Sequence, residues 1–449
     1  MTSSIVQAVA NIKRNVAEYL TANAIKQACR DVGHTWRERK LGPVQTVWTF
    51  LLQILHGNTS CSHAVRLGQL ACSAEAYCEA RARLPLKLLQ LLVQRTLQAA
   101  RRGCATALWY GHRTFLVDGS GVSMPDTPEL QQHFGQSGQQ LPGCGFPQAH
   151  LLAMFDAATG LLIRLLVAPL RTHDQSQVAH LHPELKPGDV LVGDRGFASF
   201  VHLSLLCGQK LHGVFRAHQR QLVSFRQDRR LVGKQAHGTK TIFCPARLIQ
   251  KLGRFDQIVE YLKPKIRPQW LDATTFAALP ATLHVRELRY RTCVRGFRVQ
   301  EIALVTTLLD AQRYSAEALA ELYRSRWEVE TNFGYLKTTM KMDVLRCESV
   351  AGVLRELTMF ALVYNLVRLV MLHAAREQRT RPTRVSFVDA LRWLMIACQS
   401  PGPLEIRVNT LRPNRFEPRV KKRRPKEYDL MNKPRCQLRQ ELATQRVTP

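Results

Sequence analysis

Three acidic residues of this chain stand where carboxylates can do chemistry. Asp118 follows the apolar run 115–117, Asp194 follows the apolar run 190–193, and Glu330 lies in the helical segment 321–341. A carboxylate in such a place is held at the edge of a buried sheet or on one face of a helix. Because the chain as a whole carries a formal charge of +30, these three carboxylates predict a divalent metal site that faces a polyanion.

The helical segment around Glu330 carries a second pattern. Tyr323, Arg326, Glu330 and Lys337 are separated by offsets of 3, 7 and 14 residues from the first. At about 100° per residue these offsets place the four side chains within roughly 60° of one another, in one polar stripe. The alternative is an ordinary amphipathic helix whose charged residues are solvated, since such residues are common on helix surfaces.

Each aspartate also has a structural alternative. Asp118 precedes Gly119 and could simply make a turn, and Asp194 could form an ion pair or a turn with Arg195. Asp126 is a nearby rival for the first position, but its surroundings are typical of a loop. Both Asp118 and Asp194 end apolar strands and the Glu330 helix follows them, which favours one joint site.

Carboxylate oxygens suit Mg²⁺ or Mn²⁺, and two ions about 3.5–4 Å apart can activate an attacking water or 3′-hydroxyl and stabilise the leaving oxygen. We expect Asp118 to bridge both ions, with Asp194 and Glu330 on one ion each. Three carboxylates held together repel one another, so metal binding should relieve strain. Arg326 and Lys337 would hold phosphate oxygens, and Tyr323 could do so through its hydroxyl.

The charge balance restricts the class of partner. Lys and Arg number 64 against 34 Asp and Glu, and the sequence pI is near 10.2. This excess favours a nucleic acid, with an anionic membrane surface as the competing partner. We find neither an uninterrupted apolar run of membrane-spanning length nor a signal peptide, so no membrane partner is expected. The twelve cysteines form no C-x2-C pair and are interpreted as reduced, mostly buried thiols of a cytoplasmic protein.

The pattern of strands and helices predicts an α/β fold with a ribonuclease-H-like catalytic core. A strand at 114–118, a hairpin at 150–168, a short helix at 174–184 and a strand at 190–193 follow in that order, so the first and fourth strands should lie side by side. Residues 1–105 are predicted to form a helical N-terminal domain, and residues 106–208 the first part of the core. Residues 209–305 are predicted to form a β-rich insertion and residues 306–400 the rest of the core with C-terminal helices. Residues 401–449 are predicted to form a basic tail.

The helical N-terminal domain is a candidate for DNA-end binding. Arg81, Arg83 and Lys87 lie near a predicted turn between two helices, although a helical cap on the main domain is the alternative. Trp270 could stack on an extruded base, but packing is the more common role of a tryptophan. His150, His173 and His180 lie near core strands without a metal-ligand spacing and are interpreted as structural. The basic run 419–426 is expected to stay disordered until it meets a phosphate backbone.

The sequence Tyr323-x2-Arg326-x3-Glu330-x6-Lys337 resembles the signature of the DDE transposases of bacterial insertion sequences, family-4 type. The surroundings 193–197 and 304–310 look alike too, and the resemblance extends over roughly residues 70–430. It implies cut-and-paste transposition in a dimeric complex with double-stranded DNA that carries terminal inverted repeats, and with a target DNA. A DNA hairpin intermediate is one route that the resemblance leaves open. It implies a metal role for Asp118, Asp194 and Glu330 and a strand-binding role for the other three signature residues.

Two other functions remain compatible with the sequence. One is a non-catalytic DNA-binding regulator derived from a transposase, and the other is a metal-dependent DNA nuclease without strand transfer. The expected location is the bacterial cytoplasm, in association with the nucleoid.

Overall fold

A computed structural model gives the fold of the chain. It describes residues 20–37, 41–103, 108–218, 221, 223–228, 230–235, 238–243, 246–292, 300–395, 406–410 and 431–445. The predicted basic run 419–426 lies outside the described residues.

Among the described residues, five helices precede the first strand: α1 (Ala22–Asp31), α2 (Pro43–Leu55), α3 (Cys61–Leu67), α4 (Ala74–Arg83) and α5 (Leu86–Gly103). Pro43 and Pro85 stand where a proline suits a helix start, and the helices predicted at 44–55, 74–84 and 85–100 are confirmed. Of the three basic residues predicted near DNA, Arg81 is engaged in the core. It donates to Gln53 Oε1 at 2.8 Å and is 8% exposed, whereas Arg83 and Lys87 are exposed.

One nine-stranded sheet follows, in the order β3-β2-β1-β4-β5-β11-β10-β9-β8. Strands β1, β4 and β5 run parallel, and β2 and β3 extend the sheet as an antiparallel hairpin. The predicted neighbourhood of the first and fourth strands is therefore confirmed. The strands are β1 (Thr114–Ser123), β2 (Gln148–Asp156), β3 (Leu162–Pro169), β4 (Val190–Gly193), β5 (His212–Arg216), β6 (Arg230–Gln235), β7 (Gly238–Phe243), β8 (Arg247–Gly253), β9 (Asp256–Leu262), β10 (Thr282–Thr292) and β11 (Gln300–Thr306).

Strand β1 is longer than the sequence predicts. We expected it to end at Asp118, but it continues to Ser123 because β2 pairs with it along that whole length. The alternative that Asp118 and Gly119 simply make a turn is therefore wrong. The parallel partner β4 ends at Gly193, opposite Val117, so Asp118 marks the end of the parallel part of the strand.

The β-rich part of the chain extends this same sheet. Strands β8 to β11 join it through β5, which itself pairs with β4, and β6 and β7 form a separate two-stranded sheet. Arg286 on β10 is buried and forms a hydrogen-bonded ion pair with Asp256, and it donates to the Tyr314 carbonyl at 2.6 Å. Trp270 packs against a small apolar cluster near α8 (Phe200–Gly208) and α9 (Ala273–Ala278).

The Glu330 segment is not the single α-helix that the sequence predicts. It consists of α10 (Ala316–Ser325), α11 (Trp327–Gly334) and a π-helical turn (Tyr335–Thr339), with Arg326 between the two α-helices. The side chain of Ser315 caps α10 as expected. Short π-helical stretches often occur at functional sites.

The longest helix, α12 (Val350–Glu377), runs through the core and is followed by α13 (Phe387–Met395). By length and composition α12 could cross a membrane, although Arg355, Glu356 and Arg368 interrupt its apolar sequence. However, 89% of its most apolar window is buried inside the protein, as in a core helix. Its Glu356 is fully buried and accepts from Asn58 Nδ2 at 2.6 Å and from the Cys347 N–H at 2.9 Å, which connects the N-terminal helices to the core.

Part of the predicted basic tail is helical. The described C-terminal segment forms α14 (Arg435–Gln445). Arg435 donates to Asp126 Oδ2 at 3.2 Å and stacks over Phe146 at 3.9 Å from the ring centroid. Asp126, the rival acid of the sequence, therefore anchors the C-terminal segment.

Candidate active site

Asp118 and Asp194 lie at neighbouring strand ends. Val117 on β1 is paired with Gly193 on β4, and each aspartate is the next residue of its own strand. The carboxylate of Asp118 accepts from the Gly119 N–H at 2.9 Å, and that of Asp194 accepts from the Gly196 N–H at 2.7 Å. Both side chains are therefore oriented by a backbone donor just beyond them.

Arg326 connects the third acid to the first. Its Nη1 donates to Asp118 Oδ2 and its Nη2 donates to Glu330 Oε1, each at 3.0 Å. The Arg326 side chain is 15% exposed, whereas those of Asp118 and Glu330 are 22% and 42% exposed. The structure thus places Glu330 on the Asp118 side of the sheet edge, with a guanidinium between the two carboxylates.

The other two signature residues contact the same surroundings. Lys337 Nζ donates to Ser120 Oγ at 3.1 Å and to the Gly121 carbonyl at 2.7 Å, so it lies over β1. Tyr323 is 7% exposed, and the Arg326 guanidinium lies 5.8 Å from its ring centroid. Burial lowers the pKa of Lys337 and raises the pKa of Tyr323. The four signature side chains lie near β1 and are supplied by two helices and a π-turn, not by the single helix that the sequence predicts. Their shared functional role stays a prediction.

Asp118 is the most perturbed acid of the site. Burial raises its pKa to about 6, and the charges of Asp194 and Asp174 act in the same direction. The Arg326 charge and the Gly119 N–H oppose this rise but do not cancel it. A carboxyl group with this pKa, beside a second carboxylate, is stabilised by any cation that reaches it.

The donor set is chemically suited to a hard divalent cation, because three carboxylates offer oxygens with spare lone pairs. Among the described residues, however, no three His, Cys, Asp or Glu are close enough together to hold a metal ion as they stand. The Arg326 guanidinium lies between Asp118 and Glu330 and forms an ion pair with each of them at 3.0 Å. A cation shared by these two residues requires Arg326 to release at least one of them.

Two residues next to this site were missed or undervalued in the sequence. Asp174, which begins the short helix α7 (Asp174–Gln177), was not singled out, and His150 was interpreted as structural. His150 Nε2 lies 2.6 Å from Asp174 Oδ1, and both contact β1 at Gly119. The available signal was a histidine in the strand beside β1 together with an acid at the start of the segment after the hairpin.

Comparison with known proteins identifies the class. The family model described as "Transposase DDE domain" matches residues 109–366, which is more than half of the chain and contains all six predicted site residues. The chain therefore belongs to this family and is a DNA transposase. Enzymes of the family bind DNA and use divalent metal ions.

One relative is the protein "Transposase InsG for insertion sequence element IS4" of Escherichia coli (strain K12). It is 24% identical over 443 residues, which cover 92% of this chain and 93% of that protein. The solved structure of a piggyBac transposase synaptic complex with hairpin DNA is also similar, at 9% identity and a TM-score of 0.45, over 86% of this chain and 79% of that one.

Proposed function

We propose that this transposase cleaves and joins insertion-sequence ends at the edge of a ribonuclease-H-like core. The observation that carries the proposal is the meeting of Asp118 and Asp194 at adjacent parallel strand ends, with Glu330 connected to Asp118 through Arg326. The parallel pairing of β1 with β4, beside the β2–β3 hairpin, supports the assignment of the core, because the sequence pattern predicts that the first and fourth strands lie side by side. On this proposal residues 106–208 and 306–400 supply the core and 209–305 the insertion.

Asp118, Asp194 and Glu330 are proposed to hold two Mg²⁺ or Mn²⁺ ions. Bound there, such ions activate the attacking oxygen and stabilise the leaving oxygen of a phosphodiester displacement. The protein contributes the orientation of its acids, and the Gly119 and Gly196 N–H groups set the orientation of the two aspartates. Arg326 holds Asp118 and Glu330 together before the cation binds, which limits the repulsion between carboxylates.

The strand-binding role is proposed for Tyr323, Arg326 and Lys337. A guanidinium that gives up one carboxylate can donate two parallel hydrogen bonds to a phosphate, and an ammonium group binds phosphate as a point charge. Lys337 reaches Ser120 and the Gly121 carbonyl on β1, so a phosphate that it binds lies beside Asp118. On this proposal the DNA backbone lies against the acids that act on it.

The DNA partners follow from charge and family. The net charge of +30 supports sequence-independent attraction to a phosphate backbone. We propose that the N-terminal helices bind the terminal inverted repeats, with exposed Arg83 and Lys87 among the contacts, and that a homodimer pairs two ends before joining them to target DNA in the cytoplasm. The whole of this scheme is cut-and-paste transposition.

The test uses the full chain and a DNA duplex that carries the gene's flanking ends beside a target plasmid. With Mg²⁺ or Mn²⁺ we expect cleavage at the ends and transfer of the freed 3′-hydroxyl to the plasmid, and we expect E330A to bind the ends without cleaving them. Cleavage without transfer would support the nuclease, and binding without cleavage would support the regulator. Full cleavage by E330A would refute the three-carboxylate site.

A further inference from the structure

A second set of residues lies against Gly119 and Gly196, the two glycines whose N–H groups donate to Asp118 and Asp194. His150 on β2, together with Asp174 and Gln175 at the start of α7, forms what we call the positioning group. In the register of β1 and β2, His150 lies opposite Gly121, and its ring reaches along β1 to Gly119. None of these three residues belongs to the acidic triad or to the signature stripe.

The contact with Gly119 is close. A Cβ atom placed on Gly119 would lie 2.7 Å from Asp174 Oδ1 and 3.0 Å from His150 Cε1, so only glycine leaves room for the pair. The pair itself is joined by the 2.6 Å contact between His150 Nε2 and Asp174 Oδ1, and these side chains are only 18% and 30% exposed. The Gly119 N–H is the donor that orients Asp118, so the pair packs against the backbone that holds the first aspartate.

Gln175 contacts the glycine that holds the second aspartate, in the turn that follows β4. Its Nε2 donates to the Gly196 carbonyl at 2.9 Å, and the Gly196 N–H is the donor that orients Asp194. Successive residues of one short segment therefore fix the two glycines that hold the two acids. The charge of Asp174 also acts on Asp118 and contributes to its raised pKa.

We infer that His150, Asp174 and Gln175 are positioning residues of the catalytic site, which set the separation and orientation of Asp118 and Asp194 for a divalent cation. The inference rests on the proposed function, because it assigns to these residues an effect on cation binding. Residues that orient the ligands of a metal typically change its affinity about 10–100-fold when they are replaced.

The test measures cation binding directly, on the full chain without DNA, as the rise in unfolding temperature during a Mn²⁺ titration at pH 8. For D174N and Q175L we expect the Mn²⁺ midpoint to increase by about tenfold or more. In EDTA the unfolding temperature and the binding of end DNA should stay as in the wild type, because neither substitution leaves a cavity. E260Q is the matched control, since Glu260 makes a similar contact with His284 in the extended part of the sheet, at 3.5 Å.

The outcomes separate the two levels of the proposal. If the wild type shows no Mn²⁺-dependent rise, the proposed metal site is wrong and the inference is refuted with it. If the wild type responds and both variants keep its midpoint, the positioning role alone is refuted. A change of the Mn²⁺ midpoint in D174N but not in Q175L would also refute the positioning role. Gln175 is neutral and acts through geometry only, so this result would mean that Asp174 acts through its charge. If D174N lowers the unfolding temperature in EDTA, the Mn²⁺ midpoint of Q175L alone decides whether the positioning role is kept or refuted.

Discussion

The guanidinium of Arg326 is expected to compete with the cation that the site is proposed to bind. Two charge-assisted hydrogen bonds of 3.0 Å connect it to Asp118 and Glu330. A hydrogen bond to a charged group contributes about 1.5–3 kcal/mol, and one of the two must break before a cation can be shared. R326A removes this cost, so we expect its Mn²⁺ midpoint in the absence of DNA to fall by about 10–150-fold.

The same substitution should impair the reaction. Arg326 is also proposed to hold a phosphate oxygen, and without it we expect DNA cleavage at saturating Mn²⁺ to fall by at least about tenfold. Tighter cation binding together with slower cleavage is the diagnostic combination. A loss of cleavage alone would not distinguish Arg326 from any other residue of the site.

The measurement is a Mn²⁺ titration of the unfolding temperature at pH 8, followed by a cleavage assay on labelled end DNA. This pH lies well above the pKa of about 6 that Asp118 has beside Arg326, so the acid is ionised in the wild type. R324A is the control, because Arg324 is exposed and its Nε donates to the Ala320 carbonyl at 3.4 Å. A Mn²⁺ midpoint in R326A that is equal to or higher than that of the wild type would refute the competition.

Three further predictions concern catalysis, stability and pH. E330Q should lower Mg²⁺-dependent cleavage at least about 100-fold while a gel-shift assay finds end binding unchanged, and cleavage within tenfold of wild type would contradict its role. E356A should lower the free energy of unfolding by about 2–5 kcal/mol in urea, because buried donors lose their acceptor, and a loss under 1 kcal/mol would contradict this account. Burial lowers the pKa of His182 to about 4 and of His202 to about 3, so their stability contribution is present above pH 6.5 and is lost as the pH falls, by up to about 1.4 kcal/mol per unit for each. The pKa of Asp118 is raised to about 6, so protonation of this acid below pH 6 stabilises the fold and offsets the stability lost through about one of these histidines. The urea midpoint should therefore still fall between pH 6.5 and 5. A rise of the midpoint would contradict the assignment.

Local patterns were sufficient where a short stretch of sequence decides the outcome. The apolar runs at 115–117 and 190–193 predicted buried strands, and the order of the elements placed them side by side, as the pairing of Val117 with Gly193 confirms. The spacing of the signature residues predicted one functional face. These properties depend on periodicity and chain order, which a single sequence displays.

Contacts between distant segments were not predictable in this way. The extension of β1 to Ser123 depends on β2, and the helical segment 435–445 docks through Arg435 on Asp126, far away in sequence. Cysteine burial was also misjudged. Among the described residues Cys29, Cys144 and Cys347 are buried, but Cys78 and Cys436 are exposed.

The sequence by itself indicated an α/β fold, the neighbourhood of the first and fourth strands and the six residues proposed to serve a metal and a phosphate backbone, because residue type, hydrophobic period and spacing are local properties. Only the tertiary structure decided how these residues meet. It placed the Arg326 guanidinium between Asp118 and Glu330 and brought His150 and Asp174 against Gly119. The physical reason is that hydrogen bonds and electrostatic interactions depend on distances of a few ångströms, and for residues far apart in the chain these distances are set by packing.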